Sequence, residues 1–249
     1  MTNKKEINAG IIIIGNEVLS GRTKDINTSS IALWLNPLGI HVKEVRVIPD
    51  DENIIIDSVN IFRKKFNYVF TTGGIGPTHD DITAESIAKA FQLEYGFHKE
   101  AYKILENYYK PGEFTEGRQK MAKMPTNASL ILNPTSGAPG FYVENVFCLP
   151  GVPSILKSML GGLKNNIVGG KPILSLTINL KTVESEIAKS LSEVQNKNKE
   201  VEIGSYPFFR AGKLGVSIVI RSENQSKIDS CNLQILKFVN EKKISIVDL

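Results

Sequence analysis

The chain has 249 residues, of which 41% are hydrophobic and 22% are charged, and its formal net charge is +4. This composition is typical of a globular protein and excludes a disordered or fibrous chain. The basic residues are scattered and not interleaved with aromatic residues, which argues against a nucleic-acid partner. No apolar run approaches the length of a membrane span, so we expect no membrane partner and a cytoplasmic protein, with Cys148 and Cys231 as buried free thiols.

The first third of the chain alternates predicted strands and helices. An apolar run over residues 11–14 ends in glycine and is typical of a central strand. After a loop, Asn27 is predicted to be the N-cap of a helix that ends near Gly39. Strands over 40–48 and 68–72 alternate with helices over 51–66 and 82–91. This order predicts a mostly parallel sheet with helices on both faces.

The middle of the chain is less regular. Residues 99–109 and 116–124 are predicted to form two helices, and residues 129–149 predict short strands between prolines and glycines. Another helix is predicted to open at Pro153, because proline favours the first helical position.

A change of character near residues 164–172 indicates a domain boundary, because this stretch is rich in glycine and polar residues. We therefore expect domains over residues 1–170 and 171–249. The second segment predicts strand, helix, strand, strand, helix and strand over 173–180, 184–196, 201–206, 212–221, 225–241 and 244–247. This βαββαβ order is that of a small ferredoxin-like α+β domain.

Glycine-rich loops follow three of the predicted strands, and a fourth lies nearby in sequence. They read GNEVLSGRTKDIN, GGIGPTHDD, LPGVPS and NPTSGAPGF. In such sheets, ligands bind beyond the carboxyl ends of the strands. Glycines allow close approach of the backbone, and free N–H groups before a helix attract anions. One such loop could simply turn the chain, but four at one edge favour a phosphate site.

These loops also contain three aspartates. A carboxylate beside a phosphate would repel it unless a cation lies between the carboxylate and the phosphate. Asp25 and either Asp80 or Asp81 could hold Mg²⁺ against a phosphate ester. One member of the adjacent pair could instead cap the helix over 82–91. Three basic residues are candidates to pair with phosphates, although each could also be a solvated surface charge: Arg22, Lys24 and Arg118.

The four loops resemble the motifs of the molybdopterin-binding (MoaB/Mog-like) domain family, in the version found in competence/damage-inducible protein A (CinA). The N-terminal domain of eukaryotic FAD synthase is similar. The motifs occur in the family's order over residues 7–163, and VEIGSYPFFRAGKLGVSIVIRS resembles the small domain that follows in these proteins. The resemblance implies a three-layer α/β/α fold with a mostly parallel sheet, and a homo-oligomer.

The resemblance also implies residue roles. Asp25 and Asp81 become the catalytic and metal-binding residues, and Asp80 is the additional acid typical of the CinA version. Mg²⁺ is the implied cofactor, Co²⁺ and Mn²⁺ are further candidates, and molybdopterin is a candidate ligand. CinA proteins commonly have an acidic residue in the stretch that holds Ile155 here. The residues expected to bind phosphate or ligand are Gly15, Glu17, Gly21, Arg22, Thr72, Gly73, Gly74, Gly76, Pro77, Thr78, Asp80, Arg118, Ser136, Gly137, Pro150 and Gly151.

The leading hypothesis is a divalent-metal-dependent pyrophosphatase that hydrolyses an ADP-ribose-like or FAD-like dinucleotide. Two alternatives remain open: a non-catalytic pterin- or nucleotide-binding module, and a molybdopterin adenylyltransferase of molybdenum cofactor biosynthesis. In each case the partner is a small-molecule nucleotide or pterin.

Overall fold

The computed structural model describes residues 7–210 and 212–248, with the backbone alone at Lys213. The chain divides between Gly170 and Lys171 into two compact units. Within the described residues, no helix combines the length and the apolar character needed to cross a bilayer.

The first unit alternates strands and helices in its first half and becomes less regular afterwards. Its strands are β1 (Asn8–Ile14), β2 (His41–Ile48), β3 (Tyr68–Thr72), β4 (Tyr95–Phe97), β5 (Lys123–Pro125), β6 (Ser129–Ile131), β7 (Gly140–Val143) and β8 (Val146–Leu149). Its helices are α1 (Asn16–Leu19), α2 (Asn27–Leu35), α3 (Glu52–Lys65), α4 (Thr83–Ala90), α5 (Lys99–Tyr108), α6 (Glu116–Lys120) and α7 (Pro153–Leu160).

The main sheet has the order β2-β1-β3-β8-β7-β6, in which the first four strands are parallel. Alternate side chains of β1 enter different cores: Ile12 and Ile14 pack on one side, and Ile11 and Ile13 on the other. A central strand buried on both faces explains the continuous apolar run. The predicted three-layer α/β/α arrangement is confirmed.

The helix faces follow the apolar periodicity of the sequence. Ile55, Val59 and Phe62 are buried on α3, and α7 begins at Pro153, as predicted. The helix predicted over residues 116–124 is wrong in its second half, because α6 ends at Lys120. The following residues form β5, which pairs with β4 and buries Met124.

The second unit has two helices on a small antiparallel sheet. Its elements are β9 (Leu174–Leu180), α8 (Glu184–Lys197), β10 (Glu202–Arg210), β11 (Lys213–Ser222) and α9 (Gln225–Glu241). The order β10-β11-β9 places the third strand of the unit between its first and second, as a split βαβ arrangement requires. The predicted final strand is wrong: residues 244–247 form only one isolated bridge, between Leu180 and Ile246.

Both cysteines are buried free thiols, as predicted. Cys148 lies on β8 in the core of the first unit, where burial raises the pKa of its thiol to about 12. Cys231 lies on the buried face of α9, where burial also raises the pKa. Neither environment favours the thiolate that reactive cysteines require.

Candidate functional site

A cavity of about 520 Å³ lies beyond the carboxyl ends of β1, β3 and β8. Its walls are the loops that follow these strands and the loop between β6 and β7. This volume is in the range of small-molecule sites, and the position is the usual one in parallel sheets. The residues predicted at the ligand that line it are Glu17, Gly73, Gly74, Gly76, Pro77, Asp81, Ser136, Pro150 and Gly151.

A diglycine turn connects β3 to the loop beneath the cavity. Gly73 and Gly74 have φ angles of 103° and 68°, which glycine adopts without strain. A side chain at Gly73 would overlap the Ile14 carbonyl, and one at Gly74 would overlap the Thr83 hydroxyl. Thr83 is buried and binds this turn twice, through its hydroxyl to the Gly73 carbonyl and its N–H to the Gly74 carbonyl. Both glycines are therefore needed for the local fold.

The N–H groups that follow this turn are available to a ligand. The N–H of Gly73 donates to the Leu149 carbonyl, but those of Gly74, Ile75 and Gly76 have no acceptor among the described residues. Adjacent free N–H groups at the edge of a cavity form a cradle for anions. This segment supplies the positive polarity that the glycine motif predicts.

Asp81 lines the cavity and is partly fixed by its own loop. Its Oδ2 accepts hydrogen bonds from the N–H and hydroxyl of Thr78, the first at 2.8 Å. Its Oδ1 has no partner among the residues that the structure describes. The alternative role as a helix cap is not observed, because α4 has Ile82 at its N-cap and no side-chain cap bond.

Asp80 is turned to solvent and does not line the cavity, and its carboxylate lies 4.0 Å from His79 Nδ1. The pKa of its carboxyl is lowered, first by the nearby Thr78 hydroxyl and then by its own backbone N–H. Asp80 also does not cap α4. The structure thus separates the two adjacent acids: Asp81 faces the cavity and Asp80 faces water.

Asp25 lines a smaller cavity of about 30 Å³, which shares Glu17, Thr23, Gly151 and Pro153 with the larger one. Its Oδ1 accepts the N–H groups of Asn27 and Thr28 at 2.9 and 3.2 Å. Its Oδ2 has no partner within the described part of the chain. Asp25 therefore stabilises the start of α2 with one oxygen and keeps the other free.

Asn27 does not act as the predicted N-cap, which is a correction. It is the first residue of α2 and is 5% exposed. Its Nδ2 donates to the Thr72 hydroxyl and to the Gly151 carbonyl, both at 2.8 Å. The Asp25 carboxylate accepts hydrogen bonds from the first N–H groups of α2, which an N-cap side chain would otherwise accept. Asn27 Oδ1 is buried beside the smaller cavity and has no hydrogen-bond partner in the described part of the chain.

The loop between β6 and β7 is organised by Asn133, which the sequence analysis did not single out. Its Oδ1 accepts the N–H groups of Thr135 and Ser136, and its Nδ2 donates to the Ser136 hydroxyl and the Ala138 carbonyl. Gly137, with a φ of 75°, lies against the ring of Tyr108. Only Ser136 of the two residues predicted in this loop lines the cavity.

The basic candidates are not gathered at the larger cavity. Arg118 donates to the Glu113 carbonyl at 2.5 Å and lies over the Tyr109 ring. Arg22 is exposed, and Lys24 lines only the smaller cavity. The free backbone N–H groups are therefore the main local attraction for phosphate.

The remaining predicted residues occupy mixed positions. Thr72 lines the smaller cavity, and Gly15 accommodates the Glu17 carboxylate, which lies where a side chain at Gly15 would point. The residues that line neither cavity in the described structure are Gly15, Gly21, Arg22, Thr78, Asp80, Arg118 and Gly137. Residues of the larger cavity that the sequence analysis did not assign to the ligand are Thr23, Ile75, Met121, Asn133, Ala138, Pro139, Val152, Pro153 and Ile155.

Carboxylate and amide oxygens are donor types that a divalent cation accepts. Among residues 7–210 and 212–248, no group of three or more His, Cys, Asp or Glu could hold a metal by itself. Mg²⁺, however, is usually held by one or two carboxylates together with phosphate oxygens and water. Oxygen acceptors without a hydrogen-bond partner among the described residues include Asp25 Oδ2, Asp81 Oδ1 and the buried Asn27 Oδ1.

Comparison with known proteins identifies the family. Residues 10–168 match the family described as "Probable molybdopterin binding domain". The chain belongs to this family. Residues 172–248 match the middle domain of FAD synthase. The MoaB/Mog-like resemblance inferred from the four loop motifs is thereby confirmed.

Relatives of this molybdopterin-binding-domain family include archaeal proteins. A protein from Archaeoglobus fulgidus is 34% identical over 234 residues, covering 94% of this chain and 98% of the relative. One from Sulfolobus acidocaldarius is 36% identical and covers 76% of each chain. The crystal structure of CinA from Thermoplasma acidophilum, a protein of unknown function, is 33% identical with a TM-score of 0.60. It covers 64% of this chain and 96% of that one.

Proposed function

We propose that this chain is a divalent-metal-dependent pyrophosphatase that hydrolyses an ADP-ribose-like or FAD-like dinucleotide. The observation that carries the proposal is the arrangement of Asp25 and Asp81. They line two adjoining cavities, and each has one carboxylate oxygen bound to nearby backbone N–H groups and the other without a partner among the described residues. Two carboxylates beside an anion-binding loop suit a ligand that binds as a complex of phosphate and a divalent cation.

The larger cavity offers complementary surfaces to the two parts of a dinucleotide. The free N–H groups of Gly74, Ile75 and Gly76 would bind the diphosphate. Met121, Val152 and other apolar residues of the wall would pack against a base or another planar ring. The chain would in this way fix the position of the diphosphate next to the two aspartates.

Asp25 and Asp81 would hold the cation with their free oxygens, and Asn27 Oδ1 is a candidate third ligand. When bound, Mg²⁺, Co²⁺ or Mn²⁺ would supply neutralisation of phosphate charge and Lewis-acid activation of the attacking water. The hydrogen bonds from Thr78 and from the start of α2 keep the two carboxylates in place without consuming those oxygens.

The reaction is a simple hydrolysis. A water oxygen forms a bond to one phosphorus, the bond from that phosphorus to the bridging oxygen breaks, and the second phosphate leaves with the bridging oxygen. One proton of the water is released to solvent. ADP-ribose would yield AMP and ribose 5-phosphate, and FAD would yield AMP and FMN.

A non-catalytic pterin- or nucleotide-binding module is the main alternative. It is favoured by the lack, in the described residues, of a metal cluster made of protein ligands alone. The family description, which names molybdopterin, keeps adenylylation of molybdopterin as a further alternative.

A turnover panel on the purified full chain separates these functions. ADP-ribose, FAD, and ATP with or without molybdopterin are each incubated with Mg²⁺, Co²⁺ or Mn²⁺, and each reaction is repeated with excess EDTA. Metal-dependent release of AMP from ADP-ribose or FAD supports the proposal. Tight binding without turnover would favour the binding module, and ATP consumption only with molybdopterin would favour the transferase.

A further inference from the structure

The second unit has a sheet face that its helices do not cover. Ile178, Ile218 and Ile220 point into the core formed with α8 and α9. Residues of the opposite parity form a concave surface of about 450 Å³, which we call the open face: Thr177, Asn179, Tyr206, Arg210, Ser217, Val219 and Arg221. Tyr206, Ser217 and Asn179 stand side by side in one row across β10, β11 and β9.

The open face carries several hydrogen-bond donors and two arginines. Asn179 Oδ1 accepts from Ser217 at 2.7 Å, which leaves its Nδ2 without a partner among the described residues. The Arg221 Nη1 donates to the Tyr206 hydroxyl at 3.2 Å and lies 3.5 Å from a carboxylate oxygen of Glu202, and the guanidinium carbon lies 5.8 Å from the centre of the Tyr206 ring. The other guanidinium nitrogens have no hydrogen-bond partner among the described residues. Such a surface suits an anion.

An aromatic ring is built into the same surface. Gly204 has no side chain, and a Cβ there would lie 2.7 Å from the Tyr206 ring. The ring therefore lies down over the glycine, and Tyr206 is still 46% exposed. An exposed aromatic ring beside an arginine is the usual arrangement for stacking a nucleobase near its phosphate.

We propose that the open face is a second ligand site, which binds a nucleoside monophosphate with its base on Tyr206 and its phosphate at Arg221. Arg210, at the hairpin end, adds positive charge, and the free Asn179 Nδ2 adds a neutral donor. The volume suits one nucleotide better than a longer strand. This proposal does not depend on the hydrolysis proposed for the first unit.

The test is a titration of the ¹⁵N-labelled full chain with AMP, followed by amide NMR so that each unit is read separately. We expect AMP to shift the resonances of Thr177, Asn179, Ser217 and Val219. Arg221→Gln and Tyr206→Ser should each raise the Kd read from these shifts about tenfold or more. Lys189→Gln, which removes a positive charge from an exposed position of α8, should leave the Kd unchanged.

Several outcomes would overturn the proposal. The first is an absence of shifts in β9 and β11 at millimolar AMP. The second is an unchanged Kd in the folded Tyr206→Ser variant, which decides the matter if Arg221→Gln does not fold. The third is an equal response to inorganic phosphate, since this would remove the role of the base. Tighter binding of a single-stranded oligonucleotide than of AMP would overturn the choice of a mononucleotide.

Discussion

Asn27 donates a 2.8 Å hydrogen bond to the carbonyl of Gly151, a residue 124 positions later in the chain. The same amide nitrogen binds the Thr72 hydroxyl, 45 positions away. One buried side chain thus joins the loops after β1 and β8 to the end of β3, and these are three walls of the candidate site.

Asn27→Ala should lower the free energy of unfolding by about 1–3 kcal/mol, because it leaves the buried Thr72 hydroxyl and Gly151 carbonyl without their donor. Urea unfolding measures the loss. The matched control is Asn36→Ala at an exposed position, which should stay within about 0.5 kcal/mol of the wild type. Equal stabilities of the two variants would show that the hydrogen bonds of Asn27 do not stabilise the fold.

Asp81→Asn should reduce metal-dependent turnover by about a hundredfold or more, because it removes the negative charge proposed to hold the cation. Its melting temperature should change little, since the amide oxygen can still accept the hydrogen bonds from Thr78. Asp80→Asn is the control, as Asp80 faces solvent. Loss of activity in Asp80→Asn alone would reverse the assignment within the pair.

Asp25 is expected to have two separable roles, which two substitutions distinguish. Asp25→Asn keeps an oxygen acceptor for the N–H groups of Asn27 and Thr28, so it should lose turnover but retain stability. Asp25→Ala should lose turnover and also about 1 kcal/mol of stability. Activity assays and urea unfolding of both variants check this, and a fully active Asp25→Asn variant would contradict the metal-binding role.

Gly74 is expected to contribute to the stability of the fold and not only to ligand binding. Gly74→Ala combines a φ of 68° with an overlap on Thr83, so it should destabilise by about 2–4 kcal/mol. Gly112→Ala has a similar φ of 85° but open space around the new methyl group, and should cost only about 1–2 kcal/mol. The difference between the unfolding free energies of the two variants measures the cost of the steric overlap with Thr83. Equal unfolding free energies would show that this overlap costs nothing.

The Cys148 thiol should make stability fall at alkaline pH. Its pKa is about 12 in the folded protein, whereas the ordinary value is 9.0. Above pH 9 the unfolded chain loses this proton while the folded chain keeps it, so stability decreases as the pH rises toward 12. Between pH 8 and 10, the wild type should lose about 1 kcal/mol more than Cys148→Ala. Urea unfolding of both proteins at pH 8 and pH 10 tests this. Equal losses of stability in the wild type and in Cys148→Ala would contradict it.

The sequence alone was sufficient for features that depend on neighbouring residues. The apolar run of β1, the periodic faces of α3 and α9, and the proline that opens α7 are local patterns. Each can bury its apolar side in one way only, so the alternation of strands and helices and the loops at the strand ends could be predicted. The four loop motifs were likewise enough to identify the family.

Only the tertiary structure decided which groups those loops present. Asn27 has the chemistry of an N-cap, but partners 45 and 124 residues away outcompete the local bond, and Asp25 caps the helix instead. Asp80 and Asp81 are adjacent and chemically identical, and the hydrogen bonds of Thr78 distinguish them. Residues 121–124 do not continue the predicted helix, because pairing of β5 with β4 buries Met124. In each case a contact between distant segments outweighs a local preference of about 1 kcal/mol, and a local pattern contains no information about such contacts.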